Sequence, residues 1–257
     1  MLRLRQICLV ARQLQPAVAE LESAFGLTTC YHDPGVGKYG LENALLPIGN
    51  NFLEIVAPVE DNTAAGRYLD RRGGDGGYMV ITQVDNVARR RARVAELGVR
   101  IAFDLDYPDD GHDGIQLHPG DTGGSFFEMD QMLMPGGDEV GGPWYPAGKN
   151  WEPYVNTSRV SSISAAELQS PEPDRLAQRW AEIAEIDLTA DANGNPIMQL
   201  DNAILRFVED SDGRGEGLGG IDVVVTDRAA ILDAADRLGC AVSDDQVAIA
   251  GLRVNLT

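Results

Sequence analysis

One pattern recurs four times along this chain, and it restricts the available folds more than any bulk property. Gly76-Gly77-Tyr78-Met79-Val80-Ile81-Thr82, a helical stretch from Asn86 to Leu97 and then Gly98 line up with Gly219-Gly220-Ile221-Asp222-Val223-Val224-Val225, a helical stretch from Arg228 to Leu238 and Gly239. Both read as strand, helix and C-cap glycine. Two further copies start at Arg5-Gln6-Ile7-Cys8-Leu9-Val10 and Ser164-Ala165-Ala166-Glu167-Leu168-Gln169. Each leads into an amphipathic helix, Pro16 to Phe25 and Pro173 to Ile183, with proline near the start, where its missing N–H costs nothing. Short alternating stretches follow, cut by turn residues such as Asp33-Pro34-Gly35 and Ala192-Asn193-Gly194. The repeating unit is therefore strand, helix, three strands.

Two of the four copies carry a glutamate inside their last strand, in Phe52-Leu53-Glu54-Ile55-Val56 and Phe126-Phe127-Glu128-Met129. A carboxylate in so short and apolar a run is costly to bury unless a cation or a set of donors receives it. Two such groups facing one hollow read as half of a metal or acid/base site. Period-two alternation puts Gln6, Cys8 and Val10 on one face of the first strand, and Met79, Ile81 and Gln83 on one face of its counterpart. The matching positions of the later copies are Ala165, Arg206, Asp222 and Asn255, which form no credible metal set.

Composition narrows the partners. The 257 residues include 40 Asp+Glu against 21 Lys+Arg, a formal charge of −19 that repels nucleic-acid backbones and anionic bilayers. No stretch approaches the roughly 20 apolar residues of a membrane span. Cys8, Cys30 and Cys240 are odd in number and widely spaced, which excludes a disulfide framework and suits a reducing compartment, the cytoplasm. Gly73-Gly74-Asp75-Gly76-Gly77 precedes a strand, whereas a dinucleotide fingerprint follows one, so no nucleotide cofactor is expected.

Four βαβββ units with glutamates in these places resemble the vicinal oxygen chelate superfamily of glyoxalases, extradiol dioxygenases, bleomycin-resistance proteins and methylmalonyl-CoA epimerases. The most specific piece, Leu117-His118-Pro119-Gly120-Asp121-Thr122-Gly123-Gly124-Ser125-Phe126-Phe127-Glu128, is similar to the epimerase-type ending of a second unit. The resemblance implies an α+β fold in which four βαβββ units pair into two cup-shaped mixed-sheet domains with helices on the outer faces. The first glyoxalase-like domain spans 1–135 (units 1–60 and 74–132), a Gly/Pro/Trp linker spans 136–157, and a second, degenerate domain spans 158–257 (units 158–210 and 217–257). The linker contains Trp144 and Trp151, which a bare tether would not need, so it is expected to pack down or to cover a ligand.

Carried over position by position, the superfamily's metal set becomes Gln6, Glu54, Met79 and Glu128. A thioether suits soft ions and not a hard ion between two carboxylates, so Met79 breaks the pattern. His118 is the candidate replacement, since alternation sets Gln116 and His118 on one face. Gln6, Glu54, Glu128 and His118 would then hold a divalent ion (Mg, Mn, Co, Ni, Zn or Fe) with an open position. Either glutamate could instead lie on a solvated face, and His118 could cap the turn through Asp121. His112, in the acidic stretch Asp109-Asp110-Gly111-His112-Asp113, lacks the ligand alternation of a calcium loop.

The activity implied is that of a metal-dependent lyase or isomerase acting on a small molecule with neighbouring oxygens through an enolate-type intermediate, with Glu54 or Glu128 as general base. Dioxygenase chemistry is weaker because the two-His, one-carboxylate triad is absent. The alternative is a metal-free protein that sequesters a small molecule, walled by Met79, Cys8, Phe52, Phe126 and Trp144. Monomer and homodimer both remain open.

Overall fold

The computed structural model describes residues 1–257, apart from the side chain of residue 108. The unit legible in the sequence is present four times. The first copy runs β1 (Leu2–Val10), α1 (Leu14–Phe25), β2 (Leu41–Ile48) and β3 (Asn51–Pro58). The second has β4 (Gly76–Val84), α3 (Val87–Glu96), β5 (Ile101–Tyr107), β6 (His112–Leu117) and β7 (Phe126–Met132). Between them lies α2 (Ala64–Arg72), a helix that the repeat does not forecast. It starts where the Thr63 side chain accepts the Gly66 N–H, a cap written in the sequence but outside the repeating pattern.

The third copy comprises β8 (Val160–Ser170), α4 (Pro173–Ala184), β9 (Leu188–Ala190), β10 (Pro196–Gln199) and β11 (Ile204–Glu209). The fourth comprises β12 (Gly217–Val225), α5 (Arg228–Leu238), β13 (Ala241–Ser243), β14 (Gln246–Ile249) and β15 (Leu252–Leu256). Asn86 and Asp227 cap α3 and α5 by accepting the N–H groups of Arg89 and Ala230. The two glycines that follow these helices, Gly98 and Gly239, take the left-handed conformation at φ 64 and 71.

The strands form two mixed sheets, ordered β2-β3-β1-β4-β7-β6-β5 and β13-β14-β15-β12-β8-β11-β10-β9. First and last strands of a unit run parallel and hairpin partners run antiparallel, as in β1 with β3 and β6 with β7. By contacts the chain also divides into two compact units, one of residues 1–5, 78–145 and 165–218, the other of residues 6–77, 146–164 and 219–257.

In the first of these, Trp180 of α4 is fully buried, stacks on Phe127 of β7 at 4.3 Å and meets Phe207 edge-on at 6.1 Å. Its indole N–H donates to the Thr122 carbonyl at 3.0 Å. Phe127 thus faces the helices, which leaves its neighbours Phe126 and Glu128 on the opposite side of the strand. In the second unit α1 packs on α5 and β3.

The Gly/Pro/Trp segment packs down within each unit. Arg5 donates to the Gly142 carbonyl at 2.6 Å and lies over the Trp144 ring at 5.5 Å, while Trp151 meets Phe52 edge-on at 5.0 Å. Among the described residues no helix is long and apolar enough to cross a membrane.

Candidate functional site

Strand register explains the glutamates. Gln6 stands opposite Phe52, and Cys8 opposite Glu54. Met79 stands opposite Phe126, and Ile81 opposite Glu128. The two carboxylates therefore occupy the same place in their repeats, two residues beyond the partner of the reference position. The third copy keeps this register with Ala165 opposite Ile204 and Arg206 opposite Glu167. In the fourth, Gly220 pairs with Arg253 and Asp222 with Asn255, so the equivalent of Gln6 is Gly220 and the sequence alignment at Asp222 was displaced by two residues. Both late copies fill the glutamate position with a paired polar side chain. Arg206 donates to Glu167 at 3.0 Å, and Asn255 donates to Asp222 at 2.7 Å.

In the second compact unit, Glu54 is 8% exposed and is held by amides. Gln6 donates to Oε2 at 2.8 Å and Asn43 donates to Oε1 at 2.7 Å. Burial pushes the Glu54 carboxyl above its ordinary range, opposed by the hydrogen bonds of Asn43, Cys8 and Gln6 and reinforced by the charge of Asp33. Asn43 also accepts the Asp33 backbone N–H at 2.8 Å, and its carbonyl takes the ring N–H of His32. His32 is thus a structural residue of this loop. Cys8 and Phe52, both expected on the wall, lie on the Glu54 face and are fully buried.

In the first unit, Glu128 is 5% exposed. Gln116, opposite it on β6, donates to Oε2, and the same amide nitrogen reaches the Met79 sulfur at 3.4 Å. Burial raises the Glu128 carboxyl well above its ordinary value, and the charge of Asp130 adds to this while Gln116 opposes it. Asp130, on the same face of β7 two residues on, is fully buried and pushed up to about 7 by burial, with hydrogen bonding from Glu128 acting the other way.

Asp130 reaches this place because residue 114, opposite it, is glycine. A Cβ there would stand 2.1 Å from Asp130 Oδ1. His112 Nε2 lies 3.2 Å from the same oxygen, and the imidazole clusters with the rings of Tyr107 and Tyr145 at centroid distances of 5.8 and 4.8 Å, the two tyrosines being 5.8 Å apart. His112 is 2% exposed and burial lowers its basicity, against the pull of the Glu128, Asp113 and Asp110 charges. It is a strand residue of the Glu128 face, at the start of β6.

His118 lies one residue beyond β6, where Nδ1 accepts the Gly120 N–H at 3.0 Å, while Asp121 is gripped by Arg100. The turn-cap role describes its contacts, and Gln116 is the residue of that face that reaches Glu128. Trp144 packs on Arg5 and is 1% exposed. Phe126 meets Tyr78 edge-on at 5.1 Å and Met79 is half-buried beside Glu128. Sequence reading overlooked Asn43, Asp130 and the role of Gln116. Alternation from Glu128 would have reached Asp130; Asn43 needs the hairpin register, which fixes which side chain of β2 leans toward Glu54.

A divalent ion requires oxygen or imidazole lone pairs pointing at one place. The donors present do not fit one: Gln6 turns its N–H toward Glu54, Asn43 covers the other oxygen, and Gln116 turns its N–H toward Glu128. His118 has committed Nδ1 to the turn, and Met79 supplies only a thioether. Among the described residues no three His, Cys, Asp or Glu side chains cluster as metal ligands do.

A glyoxalase-like domain profile matches residues 7–184. The chain belongs to that family, and with it to the vicinal oxygen chelate superfamily. A variant of 4-hydroxymandelate synthase from Streptomyces coelicolor superposes with a TM-score of 0.68 at 14% identity, over 93% of this chain and 75% of that one. A hypothetical protein from Staphylococcus aureus gives 0.64 at 13% identity, over 100% and 99%. A methylmalonyl-CoA epimerase from Mycobacterium tuberculosis gives 0.44 at 20% identity, over 50% and 86%. No curated protein sequence matches the chain.

Proposed function

We propose that this protein is a lyase or isomerase that moves a carbon-bound proton on a small molecule with neighbouring oxygens, with Glu128 as the base. One observation carries the reading: a buried carboxyl, poised above the ordinary carboxylate range, stands on a sheet face beside half-buried Met79 and Gln116. A carboxylate of raised affinity is a stronger base than one in water, and base strength near the working pH is what proton abstraction beside a carbonyl demands. Gln116 fixes Oε2, and the charge of Asp130 strengthens the hold of Glu128 on the proton it takes. Protonated Glu128 can then return it to another position of the enolate. Glu54, the equivalent carboxyl of the other unit, is the second candidate acid/base group.

The superfamily resemblance implies a divalent ion that would polarise the substrate oxygens. Because the side chains present are aimed as donors at the carboxylates, no step is assigned to it. Protein purified without added metal is expected to contain less than one equivalent by elemental analysis. Stoichiometric metal that Glu128→Gln removes would restore the metal-dependent route.

The second reading is a metal-free binding protein, favoured by the same unsuitable metal donors and by the apolar residues Cys8, Phe52, Phe126 and Met79 around the carboxyls. Deuterium incorporation separates the two. Panels of α-hydroxyketones, α-ketoacids and thioesters in D2O, followed by NMR, should show exchange at carbon that Glu128→Gln slows by roughly 100-fold or more. Binding without any exchange would leave the sequestering role.

A further inference from the structure

We infer that His112 is a positioning residue of this site, acting on Glu128 through the buried carboxyl of Asp130 that occupies the strand row between them. The inference rests on the reading of Glu128 as the acid/base group and adds a residue to its machinery.

Register places the three side chains. On the β6–β7 hairpin Gln116 stands opposite Glu128, Gly114 opposite Asp130 and His112 opposite Met132. Alternation sets Glu128 and Asp130, and with them Gln116, Gly114 and His112, on one face. Gly114 leaves the space in which carboxyl and imidazole meet: a Cβ there would stand 2.1 Å from Asp130 Oδ1 and 3.3 Å from His112 Nε2. Across that space the two atoms are 3.2 Å apart. Among the described residues neither buried imidazole nitrogen has a hydrogen-bond partner elsewhere, so a proton between Nε2 and Oδ1 satisfies ring and acid together.

Charge carries the effect on to Glu128. Asp130 strengthens the hold of Glu128 on a proton, and His112 works against it. The groups around the imidazole are Asp130 and Glu128 from β7, Asp113 from β6, Asp110 just before it, Tyr107 from β5 and Tyr145 from the segment after β7. Arg91 holds Asp113, and the Tyr145 hydroxyl donates to Asp110 at 3.4 Å. Arg3 and Arg5 of β1, in the same unit, donate to the backbone carbonyls of Asp138, Glu139 and Gly142. Among the described residues His112 is the basic side chain in ion-pair contact with Asp130. When Asp130 is ionised, Nε2–H donates to it and blunts its charge. When Asp130 holds its proton, that proton is donated to Nε2 and the ring keeps its own hydrogen on Nδ1. Losing one proton from Asp130 therefore moves the ring hydrogen from Nδ1 to Nε2.

The experiment is nitrogen NMR of the full chain labelled at its histidine nitrogens. The three histidines are His32, His112 and His118, and His112→Gln assigns the signal. As pH rises through about 7, the His112 pattern should pass from the Nδ1–H to the Nε2–H form, and Asp130→Asn should abolish that change. Carboxyl-carbon NMR then reads Glu128. His112→Leu, which takes the donor from Asp130, should raise the proton affinity of Glu128 roughly threefold or more, whereas His112→Gln, with an amide N–H where Nε2 stood, should keep it near the parent value. Lost ring packing would move both variants alike. The inference is overturned if the His112 signals ignore Asp130→Asn, if Glu128 titrates identically in the parent and His112→Leu, or if the two His112 variants shift it equally. Should His112→Leu fail to fold, the tautomer comparison between the parent and Asp130→Asn decides. Failure of the enzyme reading looks different: the coupling appears as stated, but no hydroxyketone, ketoacid or thioester exchanges deuterium. Exchange whose pH profile is the same in the parent and His112→Leu would sink this inference and leave the enzyme standing.

Discussion

Glu54 owes its place to two amides. Removing one of them isolates a buried oxygen, so Asn43→Ala should destabilise the protein by about 1–3 kcal/mol in urea unfolding, more than a surface Asn→Ala change. It should also loosen the segment at Asp33, whose N–H the same side chain accepts. Asp130 sets a pH dependence. Its affinity for a proton rises from 3.8 to about 7 on folding, so the folded chain binds more protons than the unfolded one between those values. The stabilisation is complete below about pH 4 and is lost as pH rises through 7. Glu54 and Glu128, both raised, act in the same direction. Asp130→Asn should flatten the fall in unfolding free energy across that window; a slope identical to that of the parent would disprove the assignment.

At the level of elements, the β6–β7 hairpin is the part of the fold that builds the acid pair. Antiparallel pairing sets Gly114 against Asp130 and Gln116 against Glu128, so one hairpin supplies both the space and the donor. Gly114→Ala should cost about 1–3 kcal/mol, since the added Cβ would meet Asp130 Oδ1, and the cost should fall sharply when combined with Asp130→Gly. A double-mutant cycle by denaturant unfolding measures this. The glutamates, their faces and the α1, α3, α4 and α5 helices were legible because each depends on local periodicity or a cap. His118 was the attractive sequence candidate because alternation gives it the same face as Gln116. The chain leaves β6 before reaching it, and an edge of that kind is set by pairing with β7, which no local pattern records.

On the scale of the whole chain, −19 charges repel one another in the folded state more than in the expanded one. Raising salt from about 0.01 to 0.15 M shortens the screening length from about 30 to 8 Å, and the melting temperature should rise by a few degrees, as followed by circular dichroism. The βαβββ unit and its four copies were readable from the sequence, because strand, helix and three strands can bury their apolar faces in few ways. What the repeat could not convey is how two of the copies handle their polar positions. Ala165, Arg206, Asp222 and Asn255 look like lost ligands in sequence, whereas in the structure Arg206 meets Glu167 and Asp222 meets Asn255.

The amino-acid sequence by itself determined the architecture, the two special carboxyls and the side of the strand each occupies, since periodicity and capping act over a few residues. Tertiary structure decided their chemistry. Whether Glu54 and Glu128 receive a cation or an amide, and whether Asp130 and His112 join them, depends on strand register across tens of residues, where one side chain's hydrogen either points at a carboxyl or away from it.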